Sequence, residues 1–150
     1  MGKNESPLTW KRVGIKALWV IGIVLVMFLM TWIELYTRAS EKYTEADKLL
    51  VEAEQLTGQA NLGKKEARLE LAIETYAEVI SMHYAPFSPW VRKTQDKLQE
   101  LGALFEQQNN RRLAVKSYQE LEQAYPPLPY QAFPTHRQQL REKIETLKTN

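Results

Sequence analysis

The feature that most constrains this chain is an uncharged, apolar run near its N-terminus. Residues 17–33 have the sequence ALWVIGIVLVMFLMTWI, without one charged side chain. A helix rises about 1.5 Å per residue, so the run reaches roughly 26 Å, close to the ~30 Å hydrocarbon core of a bilayer. Trp19 and Trp32 lie near its ends, as is typical of side chains at membrane interfaces. The pattern predicts a transmembrane helix over residues 17–36 rather than a buried core helix, with the lipid bilayer as its partner.

The charges on either side of the span predict its orientation. Four basic residues and one acidic residue precede it, whereas acidic residues outnumber basic ones just after it. The positive-inside rule therefore predicts a cytoplasmic tail over residues 1–16 and an extracytoplasmic domain over residues 37–150. The apolar run exceeds the usual core of a secretory signal peptide and ends in Trp-Ile-Glu, which favours an uncleaved signal-anchor. The short basic leader and the absence of cysteine favour a bacterial inner membrane with a periplasmic domain.

The remainder of the chain has helical periodicity and no strand pattern. Apolar residues recur at three- and four-residue spacing over residues 64–83, 89–107 and 110–125. A last helix over residues 135–148 opens with a capping-box pair, Thr135 and Gln138. No proline or glycine lies between Gly22 and Gly58, so the membrane helix is expected to continue beyond the bilayer. The predicted fold is all-α, built from antiparallel helix hairpins and a C-terminal capping helix.

A stripe that alternates small alanines with larger tyrosine or leucine side chains follows the span at heptad-like spacing. Small side chains at alternate stripe positions allow a second helix to approach closely. Packing against the next helix of the same chain is the favoured interpretation, and a homodimeric coiled coil is the alternative. The candidate helix–helix contacts are Ala39, Tyr43, Ala46, Leu50 and Ala53.

One local pattern occurs twice. The sequence AIETYAEVI at residues 72–80 matches AVKSYQELE at residues 114–122, aligning Ala72 with Ala114 and Tyr76 with Tyr118. Both alignments have the same offset, which indicates an internal repeat of helical hairpins.

The second of these units resembles the tetratricopeptide (TPR) repeat family. The residues that carry the resemblance are Leu98, Leu101, Gly102, Phe105, Ala114, Tyr118, Leu121 and Pro126. The resemblance implies repeat-like units at about residues 40–85 and 89–126, followed by a cap over residues 135–148. It also implies protein binding in a groove lined by the first helix of each hairpin. The candidate contacts on that helix are Asp96, Gln99, Ala103, Glu106 and Gln107.

Two departures from the family refine the expected partner. The family's carboxylate clamp for acidic chaperone tails uses Lys and Asn at the positions that Gln99 and Ala103 occupy, so no binding to such tails is expected. The chain also offers two units and a cap, whereas arrays usually need about three units to be stable. The domain is therefore either marginal alone or completed by a partner, its own copies included.

The segment PPLPYQAFP at residues 126–134 is rich in proline and apolar for a loop. It resembles polyproline ligands, although a stiff connection between helices is the alternative. Its candidate contacts are Leu128, Tyr130 and Phe133.

Catalytic and nucleic-acid functions are not expected. His83 and His136 are isolated, and the chain has no cysteine and no glycine-rich phosphate loop, so neither cofactor nor metal is predicted. A formal net charge of +2 gives no nucleic-acid footprint. The expected function is a non-enzymatic scaffold or accessory subunit, with membrane or periplasmic subunits as partners. The alternatives are a membrane-tethered, chaperone-like TPR protein in secretion and a self-associating membrane organiser.

Overall fold

The computed structural model describes residues 7–81, 89–124 and 134–149, with side chains from residue 16 onward, except at 124, 134 and 135. These ranges contain helices and no strand, so the all-α class is confirmed. A short 3-10 turn, Gln59–Asn61, separates the first two helices. The α-helices are α1 (Pro7–Gln55), α2 (Leu62–Ser81), α3 (Pro89–Gln107), α4 (Arg111–Ala124) and α5 (Pro134–Thr149).

The chain divides into two compact units, Met1–Thr37 and Arg38–Asn150. In the first unit, the large apolar side chains of α1 are exposed: Trp19 is 71% and Phe28 69% accessible. The hydroxyls of Thr31 and Thr37 donate to the carbonyls one turn earlier, at 2.9 Å each. The segment Lys16–Gln55 is long enough and, with a mean hydropathy of 2.3 in its most apolar window, apolar enough to cross a membrane.

In the second unit, α1 packs antiparallel to α2. Two ion pairs show this: Glu52, near the end of α1, pairs with Arg68, near the start of α2, at 3.3 Å, whereas Lys42, earlier in α1, pairs with Glu78, near the end of α2, at 3.4 Å. Ala39, Ala46 and Ala53 are completely buried. Their small side chains allow the two helix backbones to approach closely.

The core of the second unit is formed by α2, α3, α4 and α5 together with the buried face of α1. The apolar faces expected on these helices are buried, and Tyr76, Tyr118 and Phe105 are the largest residues inside. The other buried apolar residues of these four helices are Ala72, Ile73, Val79, Ile80, Leu98, Leu101, Leu113, Ala114, Leu121, Leu140 and Ile144.

The turn between α3 and α4 is fixed by two asparagines. Asn109 adopts the left-handed conformation, with φ 56°. The N–H of Asn110 donates to the carbonyl of Phe105 and that of Asn109 to the carbonyl of Glu106, a Schellman ending for α3. The Asn110 side chain then accepts the N–H of Leu113 at 3.3 Å and caps α4.

Some predicted boundaries differ from those observed. Helix α2 begins at Leu62, two residues before the expected start, because the 3-10 turn feeds directly into it. Helix α4 begins at Arg111 because Asn110 is its cap. Pro126, the expected ends of the helices at residues 83 and 125, and the Thr135 side chain lie outside the described residues.

Candidate protein-binding surface

Helices α2 and α4 lie side by side, parallel and in register. Arg112 donates from Nε and Nη2 to Glu70 Oε1, at 3.0 and 2.5 Å, and Lys116 Nζ donates to Glu74. Each pair joins residues 42 positions apart, the offset of the repeated sequence pattern. Equivalent positions of the two units therefore face one another.

The two equivalent tyrosines make the same kind of link. The rings of Tyr76 and Tyr118 are buried, and each hydroxyl makes a hydrogen bond to the helix adjacent to its own in the chain. Tyr76 donates to the Asp47 carboxylate on α1, whereas the Tyr118 hydroxyl accepts from Lys143 Nζ on α5 at 2.9 Å. Burial, followed by the Asp47 hydrogen bond, raises the pKa of Tyr76, so this phenol stays protonated and acts as a donor.

An aromatic cluster joins α1, α2 and α3. The Tyr43 ring lies 5.4 Å from that of Tyr76 and 5.3 Å from that of Trp90. Lys93 Nζ lies 4.8 Å above the Trp90 ring, in a cation–π contact.

The predicted helix–helix contact residues on α1 are covered within this unit. Tyr43 and Leu50 are half-buried against the core, and Ala39, Ala46 and Ala53 are fully buried.

The sequence-predicted contacts on α3 form one stripe. Asp96, Gln99 and Gln107 are exposed, and Ala103 between them is half-buried. Glu106 differs, because its carboxylate pairs with Lys143 of α5 at 2.8 Å. The α3 face therefore consists of Asp96, Gln99, Ala103 and Gln107, with Glu106 already engaged at its edge.

Sequence reasoning missed Leu104, which is 44% exposed on α3. The sequence could have indicated its exposure, because Leu104 falls outside the helical period of the buried residues Leu98, Leu101 and Phe105.

Three other predicted contacts, Leu128, Tyr130 and Phe133, lie outside the described residues. In the ranges that are described, no three His, Asp or Glu side chains are grouped to hold a metal ion.

Charged contacts attach α5 to the α3–α4 hairpin. Arg137 Nε and Arg141 Nε each donate to Glu122 Oε1 at 2.8 Å. Burial acts to raise the pKa of Glu122, but the two guanidinium groups outweigh it and hold this pKa below its ordinary value of 4.5. Ionised Glu122 therefore stabilises the attachment of α5.

Acid should weaken this attachment, and Glu122→Gln should show how much. Because the folded-state pKa is depressed, the stabilisation is present above pH 4.5 and is lost as the pH falls through the lower folded value. At neutral pH the free energy of unfolding of the variant should be about 1 kcal/mol lower than that of wild type. The difference is modest because Arg141 is exposed to solvent. The difference from wild type should vanish in acid, as measured by urea denaturation across pH. Glu145→Gln, at an exposed same-helix pair, should show almost no difference at any pH; an equal effect there would contradict the assignment.

Comparison with protein-family models, with curated proteins and with solved structures finds no match to the chain.

Proposed function

We propose that the chain is a membrane-anchored, non-enzymatic TPR-like scaffold that binds a protein partner within a membrane complex. Residues 17–36 of α1 anchor it, and the α3 face of the second unit contacts the partner. One observation carries the proposal: α2 and α4 pair in register at the 42-residue offset of the sequence repeat. Stacked equivalent hairpins are how helical-repeat proteins build an extended binding surface.

The hairpin contacts support the repeat interpretation. Helices α1 and α2 are antiparallel, as are α3 and α4, where Gly102 lies against Tyr118. Helix α5 then packs on α4 through Glu122 and on α3 through Glu106, as a capping helix would.

The exposed side chains of the first unit support the membrane anchor. In water, side chains such as Leu25 and Phe28, at 55% and 69% exposure, would leave a large apolar surface without cover. Lipid acyl chains cover such a surface without cost. The charge asymmetry around the span supports a cytoplasmic N-terminus and a periplasmic second unit in a bacterial inner membrane.

The composition of the α3 face supports a protein partner. The exposed Leu104 lies beside this face on the same helix, next to the half-buried Ala103, so α3 offers both apolar contact and hydrogen bonds. Interfaces commonly combine apolar contacts with polar side chains in this way.

The test isolates the tagged full chain in mild detergent and determines its size and its partners by mass spectrometry. We expect a stoichiometric complex with fixed subunits. The variant Asp96→Arg/Gln99→Arg/Gln107→Arg should retain at least tenfold less partner, because bulky cations then cover the face. The control variant Ala67→Arg/Leu71→Arg/Gln123→Arg changes three exposed positions elsewhere and should retain the complex.

Other results would redirect the proposal. Many substoichiometric secreted proteins would favour a chaperone-like role in secretion, and a pure homo-oligomer would favour a self-associating membrane organiser. A stable lone monomer with a folded second unit would contradict the idea that a partner completes the array.

A further inference from the structure

An open groove of about 480 Å³ lies between α4 and the C-terminal part of α5. Arg111, Val115 and Gln119, one turn apart on α4, line one wall, and Leu147 and Lys148 of α5 line the other. This groove is separate from the α3 face and plays no part in the proposed function above.

The internal repeat indicates which structural element fits this groove. The equivalents of Val115 and Arg111 on α2 are Ile73 and Leu69, one repeat earlier. Ile73 lies in sequence between Glu70 and Glu74, the two residues that pair with α4, and it is completely buried. Its equivalent on α4, Val115, is only half-buried. The groove thus occupies the place where a next helix would pack on α4, as α4 packs on α2.

The charged side chains that line the groove favour an occupant with negative charge. Arg112 and Lys116 also border the groove, but they are already paired with α2 glutamates, and the half-buried Glu120 is the one acidic side chain among the described residues of the lining. Within the described part of the chain Arg111 makes no ion pair, and Lys148 has only a 3.4 Å pair with Glu145 of its own helix. Two cations therefore remain available beside a floor of Val115 and Leu147.

We propose that this groove docks an acidic amphipathic helix of a partner protein. Carboxylates on that helix pair with Arg111 and Lys148, and its apolar residues cover Val115 and Leu147. Helix α2 provides the precedent, because its glutamates, four residues apart, bind the cations on the other flank of α4. The apolar floor between the cations favours a helix over a flat anionic lipid surface.

The experiment titrates the full chain, in detergent micelles, into a fluorescein-labelled 20-residue peptide helix, observed by fluorescence polarisation. The peptide carries leucines on one face, flanked by glutamates four residues apart. We expect saturable binding, at least tenfold weaker for the same peptide with glutamine in place of glutamate. The variant Arg111→Glu/Lys148→Glu should also bind at least tenfold more weakly. Both positions are exposed, and circular dichroism verifies that the variant folds.

The matched control is Lys64→Glu/Arg92→Glu, which makes the same change in net charge at exposed positions of α2 and α3. It should keep the wild-type affinity; an equal loss there would show attraction by net charge alone and overturn the groove assignment. Absence of peptide binding would overturn it too. So would displacement of the peptide by phosphatidylglycerol in the micelles, which would indicate a lipid site. A dimer of the chain that Arg111→Glu/Lys148→Glu dissociates would assign the groove to a second copy instead.

Discussion

Replacing Gly102 with alanine is expected to lower the free energy of unfolding of the second unit by about 1–3 kcal/mol. A Cβ at this position would lie 2.5 Å from Cε1 and 2.6 Å from Cζ of the Tyr118 ring. The ring cannot move aside easily, because Tyr118 is 1% exposed and its hydroxyl accepts a hydrogen bond from Lys143. Either α3 and α4 must separate or the α5 contact must break.

Gly63→Ala is the matched control, because it makes the same change in α2 where no atom lies within 4 Å of the added methyl group. It should be neutral or stabilising by up to about 1 kcal/mol, since alanine favours the helix. The measurement is urea denaturation of the full chain in micelles, followed by circular dichroism. Equal effects of the two substitutions would contradict the close approach of α3 to Tyr118.

The double variant Gly102→Ala/Tyr118→Leu separates a steric clash from a general helix effect. Tyr118→Leu alone should be destabilising, because it removes a buried ring and its link to α5. When Tyr118 is already leucine, Gly102→Ala should lower the free energy of unfolding much less, because the ring atoms that the added methyl group would meet are gone. Strict additivity of the two free energies would contradict the clash.

Local signals in the sequence were sufficient for most of the helices. The predicted range of α3 agrees with the observed Pro89–Gln107, because Pro89 starts it and its apolar period runs unbroken to Phe105. Its end at Gln107 also agrees, and the left-handed Asn109 and the capping Asn110 that fix this end act within one turn. Such effects depend on neighbouring residues and are therefore visible without a tertiary structure.

The candidate binding residues were predicted less completely. Helical period placed Asp96, Gln99 and Gln107 on one exposed face, but could not show that Lys143 engages Glu106. That contact joins α3 to α5 across a separate connection, so no local pattern encodes it. The stripe of Ala39, Ala46 and Ala53 indicated burial, but its spacing alone allowed packing either within the chain or against a second copy.

The pairs between α2 and α4 were accessible to sequence reasoning, although only through the repeat. Once Tyr76 aligns with Tyr118, the same offset pairs Glu70 with Arg112 and Glu74 with Lys116. Opposite charges at equivalent positions of successive units are expected where the units stack in parallel, because like charges there would repel. The complementary glutamates and cations were therefore an additional signal for stacking.

The variant Leu25→Arg/Leu29→Arg is expected to abolish membrane insertion. Both residues belong to the exposed apolar surface of α1, at 55% and 46% accessibility, near the middle of the proposed span. Each arginine at the centre of a transmembrane helix costs about 2.5–3.5 kcal/mol on insertion scales, and the leucine contributions are lost as well. The combined free-energy cost of insertion exceeds the favourable contribution of the short apolar segments that remain.

Because the chain has no cysteine, a single Thr149→Cys change gives a specific label for both insertion and orientation. In intact cells with a permeabilised outer membrane, an impermeant maleimide should label this cysteine in the otherwise wild-type chain, since the second unit is proposed to be periplasmic. With Leu25→Arg/Leu29→Arg, labelling should require lysis of the inner membrane. The control Val51→Arg/Leu62→Arg adds the same charge at exposed apolar residues outside the span and should label as wild type does. Labelling of the parent chain only after lysis would contradict the orientation, and unchanged labelling of the Leu25→Arg/Leu29→Arg variant would contradict the span.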